Sequence, residues 1–394
     1  MVVGAGPVGS YLAYRLAKLG YRVIVFEQRP KIGHSVCCTG IVGKECFDRF
    51  PIANDAILTQ ASSARFFSPS GKSLNLRKET VQAYVIDRAA FDGALARRAQ
   101  EEGADYLLSA RVADIALVDR CVRAEVKYGR RMTNFDAKVA VISSGFGGSL
   151  PKRLGLGRID DFGLGAQAEV AATGVEEVEV YFGQSIAPGF FAWLVPTASG
   201  KALAGLLTRR SPRVYLKKLL SRLFVEGKIA SPEAESTFGI IPLKPLPKTY
   251  GERLVVVGDA AGHVKPTTGG GIYYGLLGAD MAADTVHEAL CVDDLSAKRL
   301  ARYEREWKKM LDRQLQIGYL ARRLFEQLSD SQIEQIFDLI HSNNIHEELL
   351  QSPDFSFDWH ADSVLRVLGH KILGRPLRRL KKLFMLSKVL NNLI

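Results

Sequence analysis

The sequence contains few cysteines and no long apolar run. Its 394 residues include five cysteines, and none of them forms the Cys-x-x-Cys spacing of a zinc or redox motif. So few cysteines cannot form a disulfide framework in a chain of this length, which favours a reducing, cytosolic setting. No stretch reaches the roughly 18 uninterrupted apolar residues that a membrane span needs, and the N-terminus lacks the features of a signal peptide. The sequence therefore predicts a soluble or peripheral protein.

Acidic residues are also fewer than basic ones. The chain has 53 Lys and Arg against 42 Asp and Glu, a formal net charge of +11. Hydrophobic residues make up 47% and charged residues 24%, a balance typical of a globular protein with a large core. The length predicts two or three structural units. The excess of positive charge favours an anionic partner, such as a phosphorylated substrate, lipid headgroups or nucleic acid.

The opening of the chain predicts a βαβ unit that binds a dinucleotide. It reads MVVGAGPVGSYLAYRLAKLGYRVIVFEQR, a short apolar strand, a glycine-rich turn, a helix and a second strand. In this G-x-G-x-x-G pattern, Gly4 permits the tight turn, Gly6 lets the backbone approach a pyrophosphate, and Gly9 lets the helix pack closely on the strand. Glu27, at the end of the second strand, can accept hydrogen bonds from a ribose.

Two later segments carry residues suited to the same ligand. Residues 81–105 predict a strand followed by a helix with Arg88 in its first turn. Residues 254–284 read LVVVGDAAGHVKPTTGGGIYYGLLGADMAAD, which is an apolar strand, a loop with three consecutive glycines and a helix rich in small residues. Asp259 at the end of the strand can bind a polyol, and the free amides of residues 269–272 can stabilise negative charge on a nearby ring.

The three segments together resemble a family of flavoproteins. GAGPVG, DRAAFD and GDAAG are similar to the FAD-contacting segments of the hydroxybenzoate-hydroxylase-like flavoproteins. The version KPTTGGGIYYG resembles more narrowly the geranylgeranyl reductase family, which saturates double bonds of isoprenoid chains. The resemblance implies that FAD is the cofactor and that it is bound by Gly4, Gly6, Gly9, Glu27, Arg88, Asp259, Pro266, Gly269, Gly270, Gly271 and Ile272.

A segment of aromatic residues extends the resemblance. Residues 188–196 read PGFFAWLVP, similar to the family's P-x-x-Y-x-W-x-F-P pattern, with Phe191 in place of the tyrosine and Val195 in place of the phenylalanine. The resemblance implies that Trp193 and Phe191 form walls of an apolar substrate tunnel. The alternative is that Trp193 is a core residue of an aromatic strand in the second domain.

A cysteine segment follows the same family. Residues 33–41 read GHSVCCTGI, similar to the family's Gly-x-Pro-x-x-Cys-Ala-Gly segment. The alignment places Cys38 at the family's cysteine, where it is expected to act as a proton donor or redox partner, although a buried cysteine is often only a core residue. His34 and His263 are further candidate acids near the cofactor loops, but a structural role is expected for both. No metal site is predicted.

The resemblance and the apolar pattern predict an α/β fold with three parts. These are a Rossmann-type FAD-binding domain, an inserted antiparallel-sheet substrate domain and a helical C-terminal region. The expected boundaries are 1–60, 82–155 and 250–290 for the discontinuous FAD-binding domain, 61–81 and 156–249 for the substrate domain, and 291–394 for the C-terminal region. Because no second complete dinucleotide fingerprint occurs, the expected electron donor is NAD(P)H bound transiently or a reduced, ferredoxin-like redox protein.

The end of the chain concentrates basic charge. After Asp362 there are eight Lys and Arg residues and no acid. From Pro376 onward, apolar residues cluster on one side of a predicted helix, which favours an amphipathic helix on an anionic membrane surface. The alternative is a solvated basic helix docked on the protein itself. Nucleic acid is not an expected partner, because no recognised binding module accompanies the charge. The expected location is cytoplasmic, peripheral on the inner face of the membrane.

The sequence thus predicts an FAD-dependent oxidoreductase that acts on CH–CH groups. The favoured activity saturates C=C bonds of geranylgeranyl-type isoprenoid chains, in a lipid or a diphosphate, by hydride transfer from reduced flavin. FAWLVP is also similar to the W-x-W-x-I-P element of flavin halogenases, so a flavin-dependent monooxygenase or halogenase is the first alternative. The second alternative is a membrane-associated flavin electron carrier without lipid turnover.

Overall fold

The computed structural model describes residues 1–34, 36–50, 52, 54–198, 200–352 and 355–369. Its strands are β1 Val2–Val3, β2 Ile24–Phe26, β3 Ile41–Gly43, β4 Ile57–Ala61, β5 Ser63–Phe67, β6 Ser73–Arg77, β7 Ala83–Ile86, β8 Asp105–Leu107, β9 Ala110–Val118, β10 Cys121–Tyr128, β11 Arg131–Ala137, β12 Ala140–Ile142, β13 Phe162–Ala171, β14 Val178–Tyr181, β15 Ala192–Ala198, β16 Lys201–Thr208, β17 Ser236–Pro242, β18 Tyr250–Gly251 and β19 Leu254–Val256. Its helices are α1 Pro7–Lys18, α2 Lys44–Arg49, α3 Arg88–Glu101, α4 Leu150–Arg153, α5 Pro212–Val225, α6 Ile272–Cys291, α7 Ala297–Phe325, α8 Asp330–Ser342, α9 Ile345–Gln351 and α10 Ala361–Gly369.

A six-stranded sheet carries the glycine-rich turn. Its order is β18-β19-β12-β1-β2-β8, and every pair is parallel except β18 with β19. The strands β1, β12 and β19 are short apolar runs with every residue buried, as expected for parallel strands covered on both faces. Helix α1 packs against α3 and α6 on this sheet. The predicted βαβ unit is confirmed, and the carboxyl ends of β1, β2 and β19 meet at one edge.

A seven-stranded sheet forms a second layer. Its order is β17-β13-β16-β15-β14-β5-β6. The pairs are antiparallel, as predicted, except that β14 and β5 run parallel. Helix α5 covers one face through four leucines at helical spacing, and these are Leu216, Leu219, Leu220 and Leu223. The other face is turned toward the segment that contains the adjacent free cysteines Cys37 and Cys38.

Two small antiparallel sheets complete the strands. The sheet β3-β7-β4 lies beside the seven-stranded sheet, since Val85 of β7 packs in one apolar cluster with Trp193 of β15. The sheet β11-β10-β9 is a meander that packs on the six-stranded sheet through Ile115, Val122 and Val126. The first of these sheets therefore links the two large layers at the position of the cysteine segment.

The described part of the C-terminal region is helical, as predicted. Helix α7 anchors the carboxyl end of the parallel sheet, because the Tyr303 hydroxyl donates to the Val256 carbonyl at 2.7 Å and the Trp307 indole donates to the Thr249 hydroxyl at 2.8 Å. Helix α8 begins with a capping box between Ser329 and Gln332. The predicted amphipathic helix from Pro376 lies outside the described residues. Within those residues, every helix is too short or too polar to cross a bilayer.

Candidate functional site

Of the three glycines in the glycine-rich turn, two leave no room for a side chain and one does. Gly4 has φ +105°, and a Cβ there would lie 2.5 Å from the Ser143 carbonyl oxygen. A Cβ on Gly9 would collide with the Gly4 carbonyl, whereas a Cβ on Gly6 would meet nothing within 4 Å. Helix α1 starts directly after Gly6 without a side-chain cap, so its first amides are free to bind an anion. The space beside Gly6 therefore fits a pyrophosphate.

Ser143 fastens this turn to the neighbouring strand. Its hydroxyl lies 3.0 Å from the carbonyl oxygens of both Val3 and Gly4 and donates to them. One buried hydroxyl therefore holds β12 to the turn that would carry the phosphates.

Glu27 holds the end of β2 against the same turn. One carboxylate oxygen accepts from the Ala5 amide at 3.0 Å, and the other accepts from the Arg29 amide at 2.9 Å. A carboxylate offers about four acceptor positions, so both oxygens retain capacity for a further donor. This geometry leaves Glu27 able to accept hydrogen bonds from a ribose diol.

Arg88 is largely buried, with its side chain 15% exposed. Its guanidinium contacts the Asp92 carboxylate at 3.1–3.2 Å. Burial opposes the charge of Arg88, but the Asp92 carboxylate and the Cys38 sulfur outweigh it, so the pKa of Arg88 is raised. Burial also raises the pKa of Asp92 despite the neighbouring Arg88. Asp92 was not predicted as a site residue, although the i, i+4 spacing of an arginine and an aspartate in DRAAFD was the available signal.

Asp259 connects Arg88 to the triple-glycine loop. Burial raises the pKa of the Asp259 carboxyl, and the Arg88 charge opposes this rise. A Cβ on Gly271 would lie 2.6 Å from the Asp259 Oδ1 atom, so only a glycine lets the chain pass this carboxylate. Arg88 therefore lies within electrostatic reach of both Cys38 and Asp259, two residues that are 221 positions apart in the chain.

The loop of residues 265–271 closes on itself before α6. The Gly269 amide donates to the Lys265 carbonyl at 2.8 Å, and the Lys265 amide donates to the Gly270 carbonyl at 3.0 Å. Gly271 precedes α6 without a side-chain cap, which leaves the first amides of the helix available to an electron-rich group. Pro266, in contrast, is buried against α7, where a Cβ on Gly318 would lie 3.3 Å from its Cδ atom.

The face of the seven-stranded sheet toward the cysteines is rich in glycine. Gly165 pairs with both Gly239 and Leu207, so these residues share one face. A Cβ on Gly239 would lie 3.1 Å from the Cβ of Cys37. The Cys37 thiol donates to the Thr237 carbonyl at 3.7 Å, and burial raises its pKa to about 11. These glycines thus let the cysteine segment lie directly on the sheet.

Trp193 lies flat on the same face. A Cβ on its partner Gly205 would be 2.5 Å from the indole, and the Phe191 ring centroid is 5.9 Å from that of Trp193. Gln167 of β13 pairs with Gly205 and lies on the same face, and its side-chain amide donates to the Cys38 carbonyl at 3.0 Å. Within the described residues, the buried Trp193 Nε1 and Gln167 Oε1 atoms have no hydrogen-bond partner. They are available to a polar atom of a ligand.

The triple-glycine loop borders this apolar face. A Cβ on Gly269 would lie 3.2 Å from Ile241 and 3.3 Å from Leu207. Both residues belong to the apolar cluster that contains Trp193 and Phe191. The loop therefore has the Asp259 carboxylate on one side and an apolar, aromatic surface on the other.

A segment near the C-terminus fastens this loop through contacts that were not predicted from the sequence. Residues 355–360 are named the C-terminal strap. Lys265 and Asp358 form an ion pair at 2.7 Å with side chains only 7% and 2% exposed. The Tyr274 hydroxyl donates to the Asp358 carbonyl at 2.9 Å, and the Trp359 indole donates to Glu45 at 2.8 Å. The strap thus joins the loop, α6 and α2.

The two candidate histidines occupy different environments. His263 is fully buried against Gly278, with its ring centroid 4.9 Å from that of Trp307. Burial lowers its pKa to about 3, so it is neutral at physiological pH and cannot serve as an acid there. His34 is exposed, and its carbonyl accepts from Arg29. Among the described residues, no group of three or more His, Cys, Asp or Glu could hold a metal ion.

Comparisons with known proteins agree with this geometry. Digeranylgeranylglycerophospholipid reductase 2 of Methanothermobacter thermautotrophicus is 29% identical over 360 residues, which cover 88% of this chain and 92% of that protein. A geranylgeranyl bacteriochlorophyll reductase-like protein from Thermoplasma acidophilum has a TM-score of 0.82 and 24% identity, covering 96% of this chain and 98% of that one. Halogenase PltM, solved in complex with FAD, has a TM-score of 0.65 and 13% identity, covering 97% and 95%.

These findings confirm the resemblance and the fold class predicted from the sequence. The reductase-like structure superposes on this chain with a higher TM-score than the halogenase does, 0.82 against 0.65, and the two structures bear on the fold alone. The model of the family described as lycopene cyclase protein matches residues 1–351. The chain therefore belongs to the lycopene cyclase protein family.

Proposed function

We propose that this protein is an FAD-dependent reductase that saturates C=C bonds of geranylgeranyl-type isoprenoid chains. The observation that carries the proposal is the position of the loop 265–271, which borders the Asp259 carboxylate on one side and the Trp193 cluster on the other. An enzyme that reduces an isoprenoid needs a dinucleotide site next to an apolar surface, and this loop lies between the two. The isoprenoid class also agrees with the names of the curated relatives.

The residues present fit FAD. The open position at Gly6 and the uncapped start of α1 suit the pyrophosphate, and Glu27 retains acceptor capacity for the adenosine ribose. Asp259 would bind the ribityl chain, and the uncapped amides at the start of α6 would lie against the electron-rich edge of the ring. The Arg88 charge would favour the ionised form of Asp259 against burial, which raises the pKa of this carboxyl. Pro266 is buried, and it shapes the loop by packing against α7.

The chain itself must align the alkene, exclude water and supply a proton. Bound FAD, once reduced, supplies the hydride. An isolated alkene is not polarised, so one alkene carbon must receive the hydride while a proton donor reaches the other carbon. The protein must therefore hold the alkene in a fixed position between the two. We assign proton delivery to Cys38, which lies beside the Arg88 guanidinium on the segment that covers the sheet. Trp193 and Phe191 form the wall against which the chain packs.

The finer features of the proposal concern partners. NAD(P)H or a reduced, ferredoxin-like protein would reduce the flavin, because the sequence has no second complete dinucleotide fingerprint. The substrate would be an isoprenoid phospholipid or diphosphate, taken up by a cytoplasmic enzyme that lies peripherally on an anionic membrane. Residues 1–60, 82–155 and 250–290 would form the FAD-binding domain, with the substrate domain at 61–81 and 156–249 and the C-terminal region at 291–394.

An anaerobic assay tests the proposal. The holoenzyme is chemically reduced and mixed with candidate isoprenoid lipids, and the products are read by mass spectrometry. The proposal predicts products that gain two hydrogens for each bond reduced. Products that gain oxygen or halogen when air and halide are admitted would indicate a monooxygenase or halogenase instead. Oxidation of the flavin by a redox partner, with every lipid left unchanged, would indicate an electron carrier.

A further inference from the structure

The outer face of the seven-stranded sheet has an exposed surface that is both apolar and basic. Helix α5 packs on β13 and β16 but leaves the edge strand β17 uncovered. The α5–β17 surface is defined by Phe162, Val214, Phe238 and Ile240, together with Arg213, Lys217 and Lys218. Its four apolar side chains are 40–54% exposed. The Arg213 guanidinium lies 5.3 Å from the centre of the Phe238 ring and joins the helix to the strand.

The charged residues that α5 contributes to this surface have one sign. Residues 209–225 contain six Lys and Arg and no Asp or Glu. Arg209 and Arg222 are paired with Asp161 and Glu226. Within the part of the chain that the structure describes, Arg213, Lys217 and Lys218 have no carboxylate within ion-pair distance. These three cations are therefore available to an external anion.

Exposed apolar side chains on an edge strand need an explanation. Such a strand can pair with other chains, and proteins usually protect it with charges or a covering element. An exposed apolar patch that is rimmed by polar groups commonly marks an interaction site. A helix with lysines beside exposed valine and phenylalanine suits an anionic bilayer, because cations attract the headgroups while apolar groups enter the interface.

The α5–β17 surface lies close to the candidate site, on the opposite face of the same strand. Successive side chains of a strand point to opposite faces. Phe238 and Ile240 of β17 face outward, whereas Gly239 and Ile241 face Cys37 and Gly269. A single strand therefore separates the surface from the loop that borders the apolar cluster.

We propose that the α5–β17 surface binds an anionic bilayer and holds the candidate site beside the lipid. The proposal rests on the proposed function only for the identity of the lipid. An isoprenoid chain that leaves the bilayer at the edge of β17 reaches the apolar face of the sheet by passing one strand, so little of it is exposed to water. The bilayer surface is the single occupant assigned here, and its anionic headgroups match Arg213, Lys217 and Lys218.

Vesicle co-sedimentation of the full-length holoenzyme tests the proposal. The vesicles are phosphatidylcholine, with or without phosphatidylglycerol. Each cation near such a surface contributes about fivefold to binding, so Lys217→Ser with Lys218→Ser should weaken binding to the anionic vesicles about 25-fold. Phe238→Ser with Ile240→Ser should weaken the part of the binding that persists at high salt, because apolar insertion is not screened.

The β10–β11 hairpin supplies a matched control. It also exposes cations beside an apolar side chain, since Arg130 and Arg131 precede Met132, which is 50% exposed. Arg130→Ser with Arg131→Ser should leave vesicle binding unchanged. Retained FAD and full turnover of a short, water-soluble isoprenoid would show that each variant is folded.

The outcomes separate this proposal from the proposed function. Unchanged vesicle binding in both surface variants, or a loss confined to the hairpin variant, would overturn it while leaving turnover of the soluble substrate intact. Dimerisation that Phe238→Ser with Ile240→Ser abolishes, in enzyme that does not bind vesicles, would also overturn it. Vesicle binding that depends on this surface supports it even if no lipid is turned over, a result that would contradict the proposed function alone.

Discussion

The buried ion pair between Lys265 and Asp358 is the contact that fastens the C-terminal strap to the loop of residues 265–271. Asp358→Asn keeps the shape of the side chain but leaves the Lys265 ammonium without its carboxylate, 2.7 Å away in the native protein. Removing one partner of a buried pair typically destabilises a protein by about 3–5 kcal/mol. The loop also loses its anchor, so we expect FAD to dissociate more readily from the variant.

Denaturant unfolding of the holoenzyme and FAD titration of the apoprotein measure these two effects. Lys265→Met combined with Asp358→Asn removes both charges, so the double variant should be more stable than Asp358→Asn alone. Asp136→Asn is the matched control, because Asp136 pairs with Arg123 on the surface, where an ion pair contributes little. If Asp358→Asn shifted the unfolding midpoint no more than the control does, the strap would not be anchored by this pair.

Four further predictions follow from the site. Glu27→Ala should weaken FAD binding by about 1.5–3 kcal/mol through lost charge-assisted hydrogen bonds, measured by flavin fluorescence; equal affinity for FAD and FMN in the native protein would contradict this assignment. Trp193→Ala should lower turnover and leave FAD binding largely intact, which steady-state kinetics and flavin titration can separate. Burial lowers the pKa of His263 from 6.5 to about 3, so the neutral side chain stabilises the fold above pH 6.5. This contribution is lost as pH falls toward 3, because the unfolded state takes up the proton first. His263→Gln should therefore flatten the plot of unfolding free energy against pH between 6.5 and 3. A chain that ends at Gly374 lacks six cations and should bind anionic vesicles less tightly at low salt; unchanged co-sedimentation would contradict the membrane role of the basic end.

The parts of the fold that the sequence predicted are those with a local signal. The spacing of Gly4, Gly6 and Gly9 predicted the turn and helix α1, because the glycine pattern and the helix that follows it are adjacent in the chain. The triple glycine similarly predicted the start of α6 at Ile272. Arg88 was predicted to begin a helix, but its burial was not, because the carboxylates and sulfur around it come from several segments.

The parts that the sequence could not predict depend on distant residues. Asp358 meets Lys265 across 93 positions, and the sequence gives no pattern that pairs these two charges. The parallel pairing of β5 with β14 could not be predicted for the same reason, since the partner strands lie more than one hundred residues apart in the chain. Ser143 shows a third case, because its role depends on the two carbonyls that the fold brings to it.

A single-turnover experiment without oxygen tests the proposed reductase activity directly. Reduced holoenzyme is mixed with a geranylgeranyl phospholipid, and the return of the yellow oxidised flavin is followed together with the mass of the lipid. An isoprenoid reductase should oxidise one flavin for each double bond saturated, and Trp193→Ala should slow this step while retaining FAD. A flavin that stays reduced in the presence of the lipid, with the lipid mass unchanged, would contradict the proposed reductase activity.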